Sequence, residues 1–257
     1  MLLKKKAKRL RKDTGNKNFF HPHERMKLHP NSIITKHFTT PLHMLTTEPI
    51  VTYIVFYASF VFALLYVTLE VFPIVFQEER GYSPEVASLP FLGLFIGMLG
   101  AVGINLANEP RYRRIADATK GKPVPEARLP PMIVGSFLFP IGLFWFGWSA
   151  DPTFHWAIPI AATSFIGGFN PIFLQCVNFL VDTYGLYAAS AVSANTFLRS
   201  IMAAGLPLAA KPIFYNLGVG PAMSILGGVA VAAIPVPFLF LKYGLALRKK
   251  STFAPVD

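Results

Sequence analysis

Polar and apolar positions do not alternate along this chain; they come in blocks. Residues 1–49 are polar and punctuated by Pro and His, and six apolar runs succeed them at roughly 50–76, 88–107, 130–149, 155–180, 186–209 and 219–241. Each run is about as long as the ~20 residues a helix needs to cross the hydrocarbon core of a bilayer. Strands of a membrane barrel would be about half that length with alternating polarity. The pattern predicts an all-α membrane protein with a basic segment over 1–49, a six-helix transmembrane bundle over 50–241 and a tail over 242–257. No secretory signal is expected at the start, because the first long apolar run begins only near Ile50.

Charge orients the bundle. The segment 1–49 holds eleven Lys and Arg, the connection 108–129 six and the tail from Lys242 four, which puts 21 of the 24 basic residues on one face. This asymmetry predicts that both termini and the connection NEPRYRRIADATKGKPVPEARLP are cytoplasmic. The opposite connections carry only Arg80 and Lys211. Arg80 is expected to be solvated there, so that its loss is nearly neutral.

Composition narrows the partners. The chain is 53% hydrophobic and only 14% charged, which leaves no long hydrophilic stretch for a separate soluble domain. The run KKKAKRLRK at 4–12 suits an anionic membrane surface, and beside a spanning bundle that reading outweighs nucleic-acid binding. His21, His23 and His29 lack the Cys or acidic residues that would complete a metal site, so no metal is expected. The lone Cys176 reads as a small buried hydrophobe. No His–Asp–Ser set, HExxH or Cys cluster lies in the spans, so an enzyme is not expected.

The polar residues inside the spans are few. They are Glu70 with Tyr66 one turn earlier, Asn170, Gln175 and Asn178 in the fourth run, and Asn195 with Arg199 one turn later in the fifth. These seven are the transport-path candidates. A guanidinium cannot shed its proton, and in hydrocarbon it costs about 3 kcal/mol or more, so Arg199 needs a carboxylate, carbonyls or a wet cavity. Counting along the helices puts Arg199 near mid-depth and Glu70 nearer the outer boundary, which disfavours a direct bridge between them. A carboxylate so placed is expected to take up and release a proton or to attract a cation. Gly93, Gly97, Gly100 and Gly103 predict one bare strip against which a neighbouring helix packs.

Several stretches carry a resemblance. LLKKKAKRLRKDTG is similar to the stretch just after the sixth span in fungal drug:proton antiporters of the major facilitator superfamily, which have twelve spans. LLYVTLEVFPIVFQEERGYS resembles their seventh span, with Glu70 at the position of its acidic residue. NEPRYRRI, PEARLPP and NFLVDTYGLYAASAVSANTFLRS resemble their eighth-to-ninth connection and their tenth and eleventh spans. The resemblance covers essentially the whole chain and implies a fold like the C-terminal six-span half of such a transporter. Two six-helix halves then enclose one path and expose it alternately to each side. It further implies proton-coupled efflux of drugs or small organic or cationic compounds from the plasma membrane. No cofactor is expected beyond the proton gradient. Asp182, Arg111, Arg113 and Arg114 become loop or gating candidates. The expected partners are the lipid bilayer, a small-molecule substrate, and a missing N-terminal half or a second copy, with the chain read as a truncated C-terminal half. The alternative is a non-transporting membrane remnant or scaffold half.

Overall fold

The computed structural model describes residues 39–119, 123–249, 251 and 253. The basic run at 4–12 and the three N-terminal histidines lie outside the described residues. The chain divides at Thr40, and the helices belong to the unit Pro41–Asp257, together with Thr40, where the first of them begins.

Ten α-helices succeed one another among the described residues: α1 (Thr40–Thr47), α2 (Pro49–Pro73), α3 (Pro84–Ala87), α4 (Leu89–Ala118), α5 (Leu129–Ser149), α6 (Ala157–Ile166), α7 (Phe169–Tyr184), α8 (Ala188–Leu217), α9 (Val219–Ala232) and α10 (Pro235–Arg248). No strand occurs among the described residues. Pro stands in the first two positions of α2, α3, α4, α5 and α10, where its fixed φ suits a helix and its missing N–H is not needed. Pro73 lies near the other end of α2, and the ladder widens directly after it into a π-turn over Ile74–Glu79.

Helical stretches long and apolar enough to cross a membrane number five among the described residues, where six runs are expected. The fourth, Ala157–Leu217, is 61 residues and joins the expected fourth and fifth spans. A straight helix of that length would measure about 90 Å, three times the hydrocarbon thickness. It is broken at Gly167 and Gly168, and it turns back at Gly185, whose φ of 44° favours a residue without a Cβ. Beyond that turn α8 packs along both α7 and α2. Two outer boundaries also shift. Met44 of α1 is fully buried in the core, so the polar segment gives way before residue 49. At the other end α10 continues through Lys242 to Arg248, because a long basic side chain can lie along a helix and reach the interface.

The core is built from α2, α5, α7 and their neighbours, with Phe72, Phe139, Phe146, Phe179 and Tyr184 among its fully buried aromatics. Glycine sets how closely α6 can sit. A Cβ on Gly93 would lie 2.1 Å from Thr163 Oγ1, one on Gly97 2.0 Å from the Ser164 carbonyl oxygen, and one on Gly142 2.5 Å from the Ile166 nitrogen. Thr163 and Ser164 then donate to the carbonyls of Pro90 and Gly93 across the contact, each at 3.0 Å. The predicted glycine strip is half used: Gly100 and Gly103 have nothing within 4 Å of a Cβ.

Candidate functional site

Three helices bring a cation and aromatic rings together. Arg199 of α8 holds its guanidinium carbon 4.6 Å from the centroid of Phe62 on α2 and 4.9 Å from that of Phe173 on α7. The two rings are 5.6 Å apart, and Tyr66 extends the row with its ring 4.9 Å from Phe62. Counted from the end of the bundle that carries the 119–128 connection, Phe62, Phe173 and Arg199 all lie about 17–20 Å along their helices, which brings them to a common depth near mid-span. Sequence reasoning expects a carboxylate, carbonyl or water for Arg199; the faces of two phenylalanines take that place. Each such contact contributes roughly 0.5–2 kcal/mol, enough together to offset much of the insertion cost. Arg199 makes no hydrogen bond or ion pair among the described residues, so the N–H edge of its fork is open. Phe62 and Phe173 escape sequence reading because a phenylalanine in an apolar run looks like any core residue.

Glu70 lies two turns beyond Phe62 on α2, half-buried and without a hydrogen bond or ion pair among the described residues. No ion pair joins it to Arg199, in keeping with the difference in depth. Gln175 and Asn178 form a second patch. The Gln175 amide donates to Asn105 Oδ1 of α4 at 2.5 Å, and Asn178 donates to Gln175 Oε1 at 3.4 Å. Asn105 is a participant that sequence reasoning misses, although an amide inside the apolar run 88–107 is a readable signal. Asn195 is 1% exposed with an unpartnered Oδ1, and Asn170 is half-buried with no side-chain bond among the described residues.

The gating candidates separate sharply. Asp182, at the end of α7, accepts from Arg128 Nε at 2.5 Å and from the Tyr112 hydroxyl at 2.8 Å, while the Arg128 guanidinium lies 3.9 Å from the Tyr112 ring centroid. Arg111, Arg113 and Arg114 stay exposed, and Arg113 only pairs with Glu109 one turn back. The same end of the bundle holds a largely buried Arg248–Glu126 pair at 3.0 Å. There the buried Glu48 accepts from the Tyr184 hydroxyl at 3.1 Å and from Ser251. Glu48 could not be found from sequence, since a Glu before Pro49 reads as the edge of a polar segment.

At the opposite end Arg80 departs from expectation. It donates to the carbonyls of Asp151 at 2.8 Å, Phe154 at 3.0 Å, Ala150 at 3.1 Å and Ser149 at 3.4 Å. Rather than standing in water, it gathers the end of α5 and the connection to α6. Hydrogen bonds from Thr153 hold the Asp151 carboxyl below its usual range, and the Arg80 charge adds to the effect. Among the described residues no cluster of His, Cys, Asp or Glu could hold a metal.

The model of the Major Facilitator Superfamily matches residues 2–207. An uncharacterized transporter of Schizosaccharomyces pombe is 46% identical over 99% of this chain and 45% of its own length. A major facilitator superfamily multidrug transporter of Candida albicans is 40% identical over 99% of the chain and 42% of its own. A multidrug transporter of Candida glabrata is 45% identical over 97% of the chain and 43% of its own. The chain thus spans under half the length of the curated relatives it matches. With its apolar helices and this match over most of its length, the chain belongs to the major facilitator superfamily.

Proposed function

We propose that this chain forms one six-helix wall of a proton-coupled exporter of drugs or other small organic compounds, acting as a carrier rather than an enzyme. The observation that carries the reading is the Arg199, Phe62, Phe173 and Tyr66 patch. A charged group near mid-span, lined with aromatic rings and open on one edge, fits a small-molecule path better than a structural tie. The Candida relatives are multidrug transporters, which supports the same substrate breadth. The basic-residue asymmetry supports cytoplasmic termini, and the plasma membrane is the membrane in which drug export would protect a cell. The wall needs an opposite face, supplied by an N-terminal half or a second copy.

In this reading Glu70 carries the proton. It is the one carboxylate within an apolar run that sits on the helix presenting Phe62 and Tyr66. The test is uptake of a fluorescent drug into inside-out vesicles containing the chain and a co-expressed N-terminal half of a multidrug relative, driven by an imposed pH gradient. Glu70→Gln should abolish gradient-driven uptake while leaving membrane insertion intact. Uptake by Glu70→Gln with unchanged pH dependence removes Glu70 from the mechanism. Absence of uptake in every combination favours a non-transporting half.

A further inference from the structure

We propose that the open edge of Arg199 is a binding site for the anionic group of an aromatic substrate, so that the preferred ligand class is the aromatic carboxylate rather than the organic cation. The inference rests on the reading of this wall as a substrate path and names what the path selects. Phe62 and Phe173 lie 4.6 and 4.9 Å from the guanidinium carbon and 5.6 Å from one another, so both rings gather to one side of Arg199 and their quadrupoles already serve one cation. An ammonium ligand approaching those rings meets a permanent positive charge within the same ~5 Å, in surroundings that screen it poorly. The N–H fork, by contrast, has no acceptor among the described residues, and a planar fork matches a carboxylate bidentately. Tyr66, 42% exposed and tilted 40° against Phe62, extends the aromatic surface beside which the ligand's ring can lie. Glu70 lies about 12 Å beyond Phe62 along α2, too far to compete for the fork.

The experiment uses the 257-residue chain in nanodiscs at pH 7, with equilibrium dialysis of labelled benzoate and labelled benzylammonium against empty discs. The two probes match in shape and differ in sign. Benzoate should bind roughly ten- to hundredfold more tightly than benzylammonium, and Arg199→Gln should remove that difference. Arg199→Lys keeps a point charge and loses the fork, so its benzoate affinity should fall between the two. Circular dichroism and a monodisperse elution profile confirm that each variant is folded. Benzylammonium binding as tightly as benzoate, no binding of either probe, or benzoate binding unchanged in Arg199→Gln would each overturn the assignment. Equal benzoate affinity in Arg199→Lys would overturn the bidentate geometry. Benzoate binding without any export in vesicles would sink the carrier reading and leave the site standing. Export without benzoate selectivity would do the reverse.

Discussion

Arg80→Ala is the substitution on which sequence and structure disagree most, and its cost can be worked out. A solvated loop arginine would lose at most a few tenths of a kcal/mol. In the fold Arg80 reaches four carbonyls at 2.8–3.4 Å, two of the bonds being partly buried and two exposed. A hydrogen bond from a charged group contributes about 1.5–3 kcal/mol when shielded from water, and much less when exposed. The Ser149 contact at 3.4 Å is the weakest of the four and adds little. The Ala150 bond and the remaining fraction of the others therefore sum to about 2–3 kcal/mol, because the end of α5 also loses the partner for its last carbonyls. On the scale of a chain this size that is a fall of roughly 5–10 °C in the thermal midpoint. The assay is loss of the monodisperse peak on heating in mild detergent at one fixed rate, since unfolding of such proteins is often irreversible. Arg113→Ala is the control. Its side chain is 74% exposed with a single i,i+4 partner, and its midpoint should stay within about 1 °C. Arg80→Lys should fall between, because one ammonium cannot span four carbonyls. A midpoint for Arg80→Ala as close to wild type as that of Arg113→Ala would refute the reasoning.

Gly97→Ala places a methyl 2.0 Å from the Ser164 backbone oxygen, so α4 and α6 must part; it should cost about 1–3 kcal/mol or prevent folding. Gly100→Ala, with nothing within 4 Å, should be neutral or slightly stabilising in the same heating assay, and equal effects at the two sites would contradict the packing. For orientation, single cysteines at Ser83, Asp151 and Asn216 should react with an impermeant reagent added outside intact cells, and one at Thr119 should not; labelling at Thr119 would invert the topology.

Much of the architecture is legible in the residues alone. The length and uniformity of the apolar runs point to helices of membrane-spanning size, since a backbone in hydrocarbon must satisfy its own hydrogen bonds and only a few forms do so. The match of LLYVTLEVFPIVFQEERGYS and NFLVDTYGLYAASAVSANTFLRS to a known family of transporters agrees with the family to which the chain belongs. Arg199 stands out because a permanent charge near mid-span is costly wherever it lies.

Pairing is the part that the sequence leaves open. Hydropathy says that Phe62 and Phe173 are apolar, not that residues so far apart in the chain meet one guanidinium; that depends on how α2, α7 and α8 cross. Charge counting puts Arg128 and Arg111 on the same face without distinction, yet only Arg128 meets Asp182, because the helical turn Pro125–Arg128 carries it under the end of α7 while Arg111 points into solvent. The same limit explains Arg80, which a one-dimensional count sees as a lone charge in a loop and the fold surrounds with four carbonyls. Partitioning between water and lipid is a property of each segment taken by itself, so the sequence determines it. A hydrogen bond or ring contact between distant residues depends on the packing of whole helices, and that only the tertiary structure decided.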